Sequence, residues 1–149
     1  MKFVVDVMLG KLAKWLRIIG FDAAYGNRAA DRELLQTARR ERRVLLTRDR
    51  RLLQSAKNIR GLLIESEDWR RQVAQVLDAF GLRDKARPMT RCLACNLRLK
   101  RLSRKNARNL VAPFVFERAS AFSICPRCGR VYWPGTHFGD MDKRLAKIL

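Results

Sequence analysis

The sequence predicts an α/β fold, a parallel sheet flanked by helices, followed by a small β-rich module. Three observations carry that prediction. Short apolar runs alternate with stretches of helical periodicity as far as Gly81, the four cysteines occur only beyond that point as two Cys-x-x-Cys pairs, and positive charge is densest in the cysteine-bearing part. The first part folds by burying apolar surface, whereas the second has too little apolar content to do so alone and needs a staple. The expected division is 1–82 for the first unit, 83–91 for a linker that has lost apolar periodicity, and 92–149 for the second.

Residues 2–5 (Lys-Phe-Val-Val) are a β-branched and aromatic run closed by Asp6, the pattern of a buried parallel strand. Leu9, Leu12, Ala13, Leu16 and Ile19 recur at helical spacing, and Gly20 supplies a C-terminal cap. Phe21 to Tyr25 is a second strand, and a helix over 31–41 turns Leu34, Leu35 and Ala38 inward behind Asp31. Val44 to Leu46 make a third strand closed by Thr47, Leu52 and Leu53 lie on a short helix, and Leu62 to Ile64 make a fourth strand closed by Glu65. Ser66 then caps a helix carrying Trp69, Val73, Val76, Leu77 and Phe80 that stops at Gly81. Strands alternating with helices at this spacing call for parallel pairing with both sheet faces covered. Beyond the linker, Leu97 to Leu102, Val111 to Phe116, Ala121 to Ile124 and Val131 to Trp133 are strand candidates, and Met141 to Leu149 places Leu145, Ile148 and Leu149 on one helical side.

The chain carries 33 Lys and Arg against 14 Asp and Glu, a formal net charge of +19. Through Thr90 there are 20 basic and 11 acidic residues, and from Arg91 onward 13 and 3. Such a surplus repels itself and points to a polyanionic partner, RNA or DNA ahead of a membrane, because no basic amphipathic helix with an aromatic face stands out. No apolar run approaches the roughly 20 residues that cross a bilayer, and Asp6 interrupts the N-terminal run too early for a secretory segment. The expectation is a soluble, cytoplasmic protein with no membrane partner.

In a parallel sheet, ligands bind outside the carboxyl ends of the strands. Asp6, Asp49 and Glu65 follow the first, third and fourth strands, Asp31 opens the helix after the second, and Asp68 lies just beyond Glu65. Asp22 begins a strand and is expected at the opposite end, solvated. Carboxylates confined together repel unless a hard cation neutralises them, so Mg²⁺ or Mn²⁺ held by Asp6, Asp31 and Asp49 is the natural reading. Such a site performs phosphodiester hydrolysis, with Lys11, Lys14, Arg17, Arg48, Arg50 and Arg51 holding the substrate backbone. Each acid also has a purely architectural reading: Asp31, Asp49 and Asp68 can cap helices or favour their N-termini.

Cys92-Leu-Ala-Cys95 and Cys125-Pro-Arg-Cys128 are each followed by a residue tolerant of left-handed backbone, Asn96 and Gly129. That spacing predicts two knuckles sharing one tetrahedral Zn²⁺ with four protein thiolates, a structural site with no open position. A redox dithiol is the rival reading, and it does not require a second matching pair. Arg98, Lys100 and Arg101 sit on the ribbon where RNA could run, and Trp133 could stack on a base. Trp15 and Trp69 are expected to pack.

The stretch Asp6 to Asp22, Asp31-Arg-Glu-Leu-Leu, Leu45-Leu-Thr-Arg-Asp-Arg50, Cys92-Leu-Ala-Cys95-Asn and Cys125-Pro-Arg-Cys128-Gly-Arg-Val-Tyr-Trp-Pro-Gly-Thr-His137 resembles one family. It is similar to the PIN-like ribonuclease domain with an attached zinc ribbon that forms the C-terminal part of mutator-seven exonucleases and also occurs free-standing in prokaryotes. The resemblance runs from Phe3 to His137. It implies a PIN-type α/β fold and metal-dependent cleavage of single-stranded RNA. Asp6, Asp31 and Asp49 would take the acidic positions, and Thr47 the hydroxyl of a Thr-x-Asp element. Many broader PIN nucleases carry a further acid two residues after that aspartate; here the position is Arg51, leaving Asp68 or Glu33 to supply a ligand. The Gly-Thr-His setting admits His137 as an RNA contact, besides a general acid or a ring packed near Trp133 and Phe138. The rival functions are a non-catalytic RNA- or ribosome-binding protein and a DNA-binding zinc-ribbon regulator.

Overall fold

The computed structural model describes residues 1–134. Four parallel strands, β1 (Lys2–Val5), β2 (Asp22–Tyr25), β3 (Val44–Thr47) and β4 (Gly61–Leu63), assemble in the order β2-β1-β3-β4. Register pairs Phe3 with Ala23 and Val44, and Leu46 with Leu62. The connections are helices: α1 (Gly10–Ile18, entered through a 3₁₀ turn at Val7–Leu9), α2 (Asp31–Glu41), α3 (Arg50–Ser55) and α4 (Trp69–Phe80), which follows the last strand.

Alternation along the strands divides the core. Phe3, Val5, Val44 and Leu46 point to one face, where Leu12, Leu16 and Ile19 meet Val73, Val76 and Leu77 of α4. Val4 and Leu45 point to the other, against Leu34 and Ala38 of α2 and Leu52 of α3. Trp15 and Trp69 stack at 4.1 Å with planes 6° apart, joining α1 to α4 and meeting the packing role expected of them. Gly20 closes α1 with φ +96°, and the amides of Gly20 and Phe21 return to Arg17 and Leu16 carbonyls in a Schellman arrangement. Gly81 (φ +58°) ends α4 the same way, and so does Arg42 (φ +51°) at the end of α2.

The second part is an antiparallel sheet of β5 (Lys100–Leu102), β6 (Phe122–Ile124) and β7 (Val131–Tyr132), with two short helices, α5 (Arg104–Ala107) and α6 (Pro113–Arg118). Ala107, Val115, Ala119 and Phe122 form its small apolar cluster, with Phe116 and Trp133 packed on it. The run Val111 to Phe116, expected as a strand, is instead turn and helix. Pro113 occupies the first helical turn, where its missing N–H costs nothing and its fixed φ favours helix, and this outweighs the β-branched and aromatic composition.

Residues 83–91, expected as a linker, are fastened to the C-terminal end of α1. Arg87 and Met89 amides donate to the Ile19 and Ile18 carbonyls, and Leu82 is buried. The helix expected over 141–149 and the residues His137 and Phe138 lie outside the described residues. Among the described residues no helix is long and apolar enough to cross a membrane.

Candidate functional site

The carboxyl edge of the four-stranded sheet brings Asp6, Thr47 and Asp49 into one hydrogen-bonded string. Asp6 extends the β1–β3 ladder by donating its amide to the Leu46 carbonyl at 3.0 Å, so its side chain is carried beside Thr47. Thr47 is fully buried; its hydroxyl donates to Asp6 Oδ2 at 2.6 Å and accepts from the Asp49 amide at 2.9 Å. Asp49 Oδ1 in turn accepts from the Arg51 and Leu52 amides and caps α3. Each carboxylate keeps one oxygen free of hydrogen bonds among the described residues. Since no buried side-chain polar atom lacks a partner, the free Asp6 oxygen reaches solvent although the residue is only 4% exposed.

None of Asp6, Asp31 and Asp49 forms an ion pair with Lys or Arg among the described residues. The edge is therefore open to a cation, and hard carboxylate oxygens suit Mg²⁺ or Mn²⁺. The three acids do not, however, close into a cage. Among the described residues the one group of three or more His, Cys, Asp or Glu side chains close enough to hold a metal is the cysteine quartet. Asp31 is the exposed first residue of α2, whose N-terminus is closed by Glu33 accepting from the Ala30 amide at 3.2 Å. Asp68 caps α4 through the Arg70 amide, which agrees with its architectural reading. Of the basic residues expected near this edge, Lys11 and Arg50 are exposed, and Arg48 pairs with Glu67 at 3.1 Å.

The four cysteines are positioned to hold one metal ion. Their sulfurs all lie within 4.8 Å of one another, with Cys92 and Cys128 at 3.7 Å. The two knuckles repeat one hydrogen-bond pattern. Cys92 and Cys125 amides donate to the Leu97 and Arg130 carbonyls, and the Asn96 and Gly129 amides return to the Cys92 and Cys125 carbonyls. Asn96 (φ +60°) and Gly129 (φ +70°) hold the left-handed positions read from sequence. Burial opposes a thiolate at Cys92, but hydrogen bonds from the Tyr132 hydroxyl and the Cys95 and Ala94 amides draw its pKa down to about 6. Burial and the neighbouring sulfurs push Cys95 up to about 12. Four thiol sulfurs so grouped are a donor set compatible with a structural zinc ion.

The first knuckle is docked on the sheet by residues whose role the sequence reading missed. Arg17, expected to contact substrate, is buried; its guanidinium donates to the Ala23 carbonyl at 2.8 Å and to the Leu93 and Ala94 carbonyls at 2.7 and 3.3 Å. Asp22, expected to be solvated, accepts from Arg43 and from the Asn96 side-chain amide, and Arg91 stands 3.6 Å away. Burial raises its pKa, but the Arg43 and Asn96 hydrogen bonds prevail and hold it below the ordinary carboxylate value. Asn96 also accepts the Ala23 amide at 3.1 Å, and the Arg91 guanidinium donates to the Gly20 carbonyl at 3.0 Å. These partners are 71 to 77 residues apart, so no local pattern announces them. Arg98, Lys100 and Arg101 are exposed on the knuckle and β5, whereas Trp133 is half-buried on the third apolar cluster.

Compared with known proteins, the chain matches the family model described as Mut7-C RNAse domain over residues 1–145. No curated protein and no solved structure matches it.

Proposed function

We propose that this chain, which belongs to the Mut7-C RNAse domain family, hydrolyses phosphodiester bonds of single-stranded RNA at the carboxyl edge of its parallel sheet. The observation that carries the proposal is the Asp6–Thr47–Asp49 string with a free oxygen on each carboxylate and no arginine neutralising either. Mg²⁺ is commonly held by one or two carboxylates with the substrate phosphate and waters completing the octahedron, so Asp6 and Asp49 suffice without a three-acid cage. A divalent ion there supplies charge neutralisation at the phosphoryl group and activation of water. Thr47 fixes the Asp6 carboxylate, and Asp49 is fixed by the N-terminus of α3. Lys11 and Arg50 steer the backbone toward the edge, and Arg98, Lys100 and Arg101 hold RNA on the ribbon. Attack by water and not by the 2′-hydroxyl gives 5′-phosphate and 3′-hydroxyl ends.

The test is cleavage of single-stranded RNA by the wild type, Asp6→Asn and Asp49→Asn, each with and without Mn²⁺. Mn²⁺-dependent cutting by the wild type, with both variants binding RNA but not cutting it, supports the enzyme. Equal inactivity of all three while binding persists supports the second reading, a non-catalytic RNA- or ribosome-binding protein. That reading draws on two observations, Arg51 in place of a further acid and the absence of a third carboxylate beside Asp6 and Asp49 among the described residues.

A further inference from the structure

The two edges of the parallel sheet carry opposite chemistry. Along the amino ends of the strands and the outer flank of β2 lie three clefts of about 770, 360 and 320 Å³, the first reaching Tyr25 at the far end of β2, and they join through shared walls: Arg43 borders the first two, Met1 the second and third, and Asp22, Arg91 and Arg98 the first and third. Together they run past the amino ends of all four strands, from Arg60 before β4 to Arg127 in the second knuckle. Eleven basic side chains line them against two acidic ones, Asp22 and Glu41, and both acids are already paired with Arg43.

Six cations along this path, Lys2, Arg39, Arg42, Lys85, Arg98 and Arg127, are exposed and make no side-chain hydrogen bond or ion pair among the described residues. Arg42 is the most telling. It occupies the left-handed position that glycine fills at the ends of α1 and α4, so a cation is kept where the backbone favours a residue without Cβ. Among the described residues the one exposed large apolar side chain on this edge is Met1, which offers nothing like the apolar face of a membrane-surface element.

We propose that this belt is a second polyanion site, taking the sugar-phosphate backbone of RNA outside the segment that reaches Asp6 and Asp49. The proposal rests on RNA as the partner but not on catalysis. A long strand engages both edges: the acidic edge receives the bond to be cut, and the basic edge anchors flanking phosphates without reading bases.

The experiment compares the wild type with the triple variant Arg42→Gln, Lys85→Gln, Arg127→Gln, one change in each cleft. Binding of a long single-stranded RNA without added Mg²⁺ or Mn²⁺ is measured across a salt series. Each lost phosphate contact lowers the slope of log K against log salt by about 0.7, so the triple variant should fall short of the wild type by about 2. Its thermal unfolding should match the wild type, since none of the three side chains is buried or paired. An unchanged slope overturns the belt and leaves the cleavage site standing, whereas failure of the wild type to bind RNA overturns both. Polyglutamate competing as well as RNA at equal charge also overturns the assignment, in favour of an acidic protein.

Discussion

One hydroxyl at Thr47 donates to a buried carboxylate and accepts from the next loop, so it fixes the spacing of the candidate site. Replacing it with Val leaves the buried Asp6 carboxylate without its donor and the Asp49 amide without its acceptor. Thr47→Val should cost about 1–3 kcal/mol in urea denaturation and reduce cleavage more than RNA binding. Asp22 offers a pH signature. Its carboxyl is held below its ordinary value of 3.8, so its stabilisation is full above that value and is lost as pH falls through the depressed one. Asp22→Ala should therefore lose about 1–3 kcal/mol at neutral pH, the cost of removing the acceptor of Arg43, which keeps Glu41, and of the Asn96 amide, with the gap from wild type closing in acid. Acid titration of the two unfolding free energies checks this. The placement of Asp6, Thr47 and Asp49 at the carboxyl edge was legible because Thr47 closes a strand and the two acids follow one. Arg17 and Asp22 were not, since charge at a helix end or a strand start reads as solvated until a distant segment arrives to bury it.

Among elements, the turn from α1 into β2 is the most constrained. A Cβ on Gly20 would lie 2.2 Å from the Arg87 carbonyl oxygen, on a backbone at φ +96°. Gly20→Ala thus adds overlap with a main-chain atom to the roughly 1 kcal/mol of unfavourable backbone, and should lower stability by clearly more than that in chemical denaturation. The same turn holds the segment after α4 against the end of α1. The eight alternating elements of the first part were readable because apolar spacing changes with each of them. In the second part the three strands fall within the runs expected of them, but the two short helices were not readable: α6 carries only a strand-like composition and one proline, and α5 is four residues long. In small metal-stapled units, local periodicity has too few turns in which to accumulate.

For the whole molecule, the first knuckle and the parallel sheet are one mechanical unit, because Arg17 leaves the body of α1 to grip the Leu93 and Ala94 carbonyls. Adding Zn²⁺ to the metal-free chain should therefore raise the melting temperature of the parallel sheet as well as that of the ribbon, and calorimetry should show the loaded protein unfolding in one transition. β2 is an outer strand, with β1 on one side only. Its outward-facing Ala23 amide and carbonyl are taken by Asn96 and Arg17 instead of by another strand. An uncovered strand border is a template for pairing with a second copy. A chain whose cysteines are all replaced by serine should therefore self-associate through β2 and scatter light, an outcome that light scattering beside the wild type with added Zn²⁺ checks.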